Sequence, residues 1–150
     1  MLNELEQEIL HMLVAGNHPD LACLRNQLSL ATLERREMSG VGFFTTLSLP
    51  EGAPRLTGRR SLVIGDVYAE ITGLEHWAGF LLFIKDCAMD FLECFIVDDQ
   101  WPEFASLQRA FYVHHPTPAT REVVETKERD LNILELDNSA LNANSESTVE

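Results

Sequence analysis

His76, flanked by Glu75 and Trp77, is the residue of this chain best equipped for chemistry. An imidazole beside a carboxylate titrates near neutral pH and can act as a general base. The competing role is structural: a histidine in a turn can hydrogen-bond a backbone carbonyl and pin a hairpin. Asp66, Glu70, Glu93, Asp98 and Asp99 supply carboxylates that could work in pairs. Glycoside hydrolysis, for example, needs two carboxyl groups about 5–10 Å apart across a cleft. Glu93 lies between Leu92 and Cys94 in an apolar stretch, so one strand face must accommodate its charge. A solvent-facing or edge position, or a pairing with Arg35 or Arg36, would do so without catalysis. Asp98-Asp99 falls at a strand end and suits a turn before Trp101-Pro102. Trp77 and Trp101, also at strand ends, fit the rim of a pocket or an interface. The catalytic candidates are therefore His76, Glu93 and Asp66; the candidate binding residues are Glu75, Trp77, Asp98, Asp99 and Trp101.

Other chemistries find less support. Cys23, Cys87 and Cys94 form no Cys-x-x-Cys pair, which argues against a disulfide framework or a zinc site. A nucleophilic cysteine needs positive charge nearby, and the block around Cys87 and Cys94 is acidic. No Gly-x-Ser-x-Gly elbow is present. Gly40-Val41-Gly42 lacks the helix and the Lys-Ser/Thr of a phosphate loop, so close strand packing is its plainer role. His114-His115, before a Pro-rich break, reads as solvated. No metal and no cofactor are expected.

The elements that must hold these residues follow from periodicity. Leu2, Leu5, Ile9, Met12 and Leu13 share one helical face, with Asn3 and Glu6 spaced as a capping box. Gly16 suits the stop, and Pro19 the first turn of a second helix carrying Leu21, Leu24 and Leu28. From Val41 to Leu49 the period becomes two, which predicts a strand. A second strand is expected over about 62–72, with Val67, Ala69 and Ile71 on one face and Asp66, Tyr68 and Glu70 on the other. Gly79 to Ile84 is an unbroken apolar run, fit for a central strand. Asp86-Cys87 predicts a tight hairpin turn, Phe91 to Val97 the return strand, and Leu107 to Val113 one more. The fold class expected is α+β, two N-terminal helices packed on an antiparallel sheet of about five or six strands. Residues 1–115 form that domain, 116–136 a weakly structured extension with faint helical spacing, and 137–150 a disordered acidic tail.

Composition narrows the function. The chain has 150 residues, 45% of them apolar, and a formal net charge of −13. Lys and Arg dominate affinity for phosphate backbones and anionic lipid, so nucleic acid and membrane are disfavoured as partners. No apolar run is long enough to span a bilayer, and acids stand near the N-terminus where a secretory signal carries Lys or Arg; a cytoplasmic protein is expected. Residues 25–60 carry net +3 and residues 61–106 net −8. Either strands from the two halves pair these charges, or an acidic face docks a basic protein partner.

The blocks Gly40 to Thr45 (Gly-Val-Gly-Phe-Phe-Thr), Ile64 to Val67 (Ile-Gly-Asp-Val), Gly73 to Phe83, Leu92 to Phe95 and Trp101-Pro102 occur in this order. In these segments the chain resembles a widespread group of small uncharacterised bacterial proteins, over roughly residues 5–112. The resemblance implies a shared fold and brings no activity. The chain departs from the group at Cys87 and Cys94, where the group prefers Gly. A non-Gly residue at positive φ is strained, so Cys87 implies another turn type or a local cost. The function expected is that of a small acidic interaction protein, immunity- or antitoxin-like toward a basic partner. The alternative is a small-molecule-binding protein or hydrolase with a site near His76, Glu93 and Trp101.

Overall fold

The computed structural model describes residues 1–58, 60–97, 100–114 and 123–138. Asp98, Asp99, His115 and residues 139–150 of the expected tail lie outside the described residues. Helix α1 (Glu4–Leu13) begins at the capping box its sequence announces. The Asn3 side chain accepts the Glu6 N–H at 2.8 Å, and Glu6 accepts the Asn3 N–H at 2.8 Å. Helix α2 (Pro19–Leu30) has Pro19 in its first turn and His18 as its cap, Nδ1 accepting the Asp20 N–H at 3.0 Å.

Seven strands follow: β1 (Thr32–Met38), β2 (Gly42–Ser48), β3 (Leu62–Ile71), β4 (Ala78–Lys85), β5 (Ala88–Phe95), β6 (Leu107–His114) and β7 (Val124–Thr126). They form one antiparallel sheet in the order β1-β2-β5-β4-β3-β6-β7. The class is α+β as the periodicity predicts, with the sheet wider than expected. The two unexpected strands lie at the edges. β1 carries Glu34, Arg35, Arg36 and Glu37 in succession and is exposed along nearly its whole length, so burial imposes no alternation on it. Charges on an edge strand also discourage pairing with another chain. β7 has only three residues, too few to show a period.

Both helices lie on one face of the sheet. Ile9, Leu10, Leu13, Leu21 and Leu24 share a core with Phe43, Leu47, Ile64, Val67, Phe80, Leu82 and Leu92. Burying a side chain of this size is worth about 1.5–3 kcal/mol, so this layer supplies most of the driving force. Fully buried Gln27 ties α2 to the sheet. Its Nε2 donates to the Pro54 and Cys87 carbonyls at 2.9 and 3.0 Å, and its Oε1 accepts the Met89 N–H at 2.9 Å. That grip holds the β4–β5 turn, where Asp86 and Cys87 have φ of 50° and 70°. This is the geometry of a type I′ hairpin turn, with a cysteine where glycine is unstrained.

Residues 116–122 of the expected extension lie outside the described residues; residues 123–136, with Asp137 and Asn138, form a strap. β7 pairs with β6, a short 3₁₀ turn spans Leu131–Ile133, and Leu131, Leu134 and Leu136 pack against the core. The anchor is Arg129. It forms a two-pronged ion pair with Asp66 (both 2.8 Å) and donates to the Met12, Leu13 and Ala15 carbonyls at 3.0, 2.9 and 2.5 Å. Arg25 takes the Val14 and Gly16 carbonyls at 2.8 and 2.9 Å. Two guanidiniums thus satisfy the orphan carbonyls at the negative end of α1. Further along, the Asp137 N–H donates to Asp20 at 2.8 Å, and His18 Nε2 bonds the Asn138 side chain at 3.0 Å.

Candidate functional site

Among the described residues no helix covers the sheet's second face. Three cross-strand rows define it. Phe44, Glu93 and Leu81 lie in one; Thr46, Phe91, Phe83 and Val63 in the next; Gly42, Phe95, Gly79, Tyr68 and Phe111 in the third. The rings contact one another across strands. Phe83 and Phe91 stack with centroids 4.3 Å apart, Phe44 meets Phe91 at 6.1 Å, and Tyr68 meets Phe95 edge-on at 5.9 Å. Two glycines make the third row possible. A Cβ at Gly79 would fall 2.2 Å from the Phe95 ring, and one at Gly42 1.9 Å from the Cys94 carbonyl oxygen. Phe44, Leu81, Phe83, Phe91, Phe95 and Tyr68 are all half-buried, neither sealed nor free.

Glu93 sits within these rings. It alternates with buried Leu92 and Cys94, so its carboxylate points away from the helices. Among the described residues no ion pair or hydrogen bond engages it. Arg35 and Arg36, its expected partners, are taken by Glu37 and Glu6. The same face ends in a polar cluster on β3 and β6. Arg109 lies 4.3 Å over the Phe111 ring and pairs with Glu70 at 3.1 Å and with Glu125. Trp77 packs edge-on against Phe111 at 4.5 Å. The hydrogen bond from Arg109 holds the Glu70 carboxyl below the usual carboxylate range, with Trp77 adding to it.

The catalytic candidates do not converge. Asp66, expected beside Tyr68 and Glu70, faces the helices instead. A bulge between Ile64 and Val67 turns it inward, where Arg129 closes both carboxylate oxygens. His76 is exposed in the β3–β4 loop and makes no hydrogen bond among the described residues, to Glu93, to Asp66 or to a backbone carbonyl. Glu75 is exposed in the same loop. Trp101 lies on the helix side, edge-on to Phe43 at 5.2 Å, with its backbone N–H on the Gly40 carbonyl at 3.0 Å. Burial pushes the Cys94 thiol up, and Glu93 adds to the shift; burial also raises Cys23. Both effects disfavour the thiolate that a nucleophile requires. No group of three or more metal-ligating side chains occurs among the described residues.

The charge pattern resolves differently from strand-to-strand pairing of its two halves. Arg36 and Arg60 turn to Glu6 and Asp20 of the helices, while Asp66 and Glu70 are met by Arg129 and Arg109. Glu6 is fully buried. Burial alone would raise its pKa, but bonds from Arg36, the Thr45 hydroxyl and the Asn3 N–H hold it below the usual range. Asp20 follows the same pattern: burial opposes, while Arg60 and the Asp137 N–H prevail. Sequence reasoning missed Gln27, Arg129 and the aromatic rows. The alternating Phe44, Phe91, Phe83 and Phe95 were the available signal for the rows. No helix among the described residues is long and apolar enough to cross a membrane. No family model, curated protein or solved structure matches the chain.

Proposed function

We propose that this protein is a small acidic interaction protein that docks a basic protein partner on the face of its sheet opposite α1 and α2. The observation that carries the reading is Glu93, a carboxylate without a partner among the described residues, set within half-buried aromatic rings. Aromatic side chains bring large contact area at low entropic cost, and a lysine or arginine gains from both the rings and the carboxylate. Three arginines that could cancel the acidic field are spent inside the fold, on Glu6, Asp20 and Asp66, and Arg109 is engaged by Glu70 at the surface. What remains outside attracts cations and repels nucleic acid. An immunity- or antitoxin-like role in the bacterial cytoplasm is the concrete form of this reading, and three free thiols suit a reducing compartment.

The test is photo-crosslinking in the native host from a reactive analogue placed at Phe44, with a second at exposed Ser29 on α2 as control. A basic protein captured from position 44 alone, lost in high salt and lost with Glu93→Arg, supports the reading. Equal capture from both positions, or capture indifferent to Glu93→Arg, overturns it.

A further inference from the structure

On the helix side of the sheet, a cavity of about 560 Å³ opens between the start of α1 and the segment leading into β6. Its floor is aromatic: Phe43 and Trp101 meet edge-to-face, planes 77° apart. Leu5, Met38 and Leu107 extend the apolar lining. Glu4, Glu8 and Glu103 stand around it, all exposed. Glu4 and Glu8 are four residues apart and so project from one side of α1. Among the described residues no ion pair engages these three carboxylates. The one cation in the lining, Arg36, gives its Nε and Nη2 to buried Glu6 at 2.8 and 2.5 Å. Its charge is already answered before any ligand arrives.

We propose that this cavity binds a small aliphatic organic cation, a diamine or an alkylguanidine. The cationic head sits against Trp101, where the ring's electron-rich face attracts it. The methylene chain lies along Leu107 and Met38, and the far ammonium reaches the Glu4–Glu8 side or Glu103. Anions are repelled by three uncancelled carboxylates, and a neutral ligand forgoes them. Trp101 and Glu93 lie on opposite faces of the sheet, so this site stands or falls apart from the docking face.

Trp77→Phe leaves Trp101 as the sole tryptophan, and its emission reports titrations with 1,4-diaminobutane, agmatine and neutral 1,6-hexanediol. The Trp101 indole N–H signal of the unaltered protein, followed by NMR, gives the same answer without a substitution. The amines are expected to saturate with a Kd of about 1 mM or below, a scale set by their few heavy atoms. The diol gives no saturable change. The exposed double variant Glu8→Gln, Glu103→Gln weakens the amines about tenfold, and high salt weakens them further. The proposal is overturned if neither amine saturates by about 10 mM, if the diol matches them, or if the double variant binds unchanged.

Discussion

The two faces of one sheet use the same residue types to opposite ends. On the helix-covered face, most rings and aliphatic chains are sealed, and the carboxylates and the amide that enter the core are matched: Asp66 by Arg129, Glu6 by Arg36 and Thr45, Gln27 by three backbone groups. On the open face, the rings other than Phe111 stay half-buried, the ion pairs of Arg109 lie in solvent, and Glu93 has no match among the described residues. A buried charge without a partner costs several kcal/mol, whereas an exposed one costs little. The first face is therefore constrained by stability. The second is free to be shaped by what it meets.

The sharpest way to break this contrast is to remove one arginine from each face. Arg129→Ala leaves Asp66 buried without its cation and takes a donor from the Leu13 and Ala15 carbonyls, and is expected to cost about 3–5 kcal/mol in chemical denaturation. Arg109→Ala, also in two ion pairs, should hardly move the denaturation midpoint, because its partners rehydrate. Comparable losses from both would erase the distinction.

A smaller effect appears with acid. Glu6 and Asp20 have pKa values lowered by folding, so the unfolded chain binds protons more readily than the native one. Their contribution is fully present above the unfolded values, about 4, and is lost as pH falls through the folded ones. The melting temperature should decline from about pH 5 downward, and Glu6→Gln with Asp20→Asn should flatten that decline. An unchanged slope in the double variant would mean that other carboxylates dominate acid unfolding.

The smallest effect sharpens the open face. Glu93→Gln should change stability by less than about 0.5 kcal/mol while weakening capture of the basic partner. A clear loss of stability would place Glu93 among the structural carboxylates instead.

Much of the framework was legible in the residues. The Asn3–Glu6 box, Pro19 after its cap, and the alternation through Phe43, Thr45 and Leu47 each encode a local geometry that needs no distant partner. The edges were not legible: β1 is too exposed to alternate and β7 too short to show a period. Asp66 was assigned to the wrong face because a single bulge reverses the alternation downstream of it. The strap was not legible because its hold depends on Arg129, which finds Asp66 across 63 positions of the chain.

The sequence alone determined the class of fold, the surplus of acid and the absence of familiar catalytic signatures, since these rest on composition and short-range periodicity. Only the tertiary structure decided which acids are spent and which are offered. Each carboxylate has the same chemistry in the chain. Whether it meets a guanidinium or water depends on which face its strand presents and what folds over it.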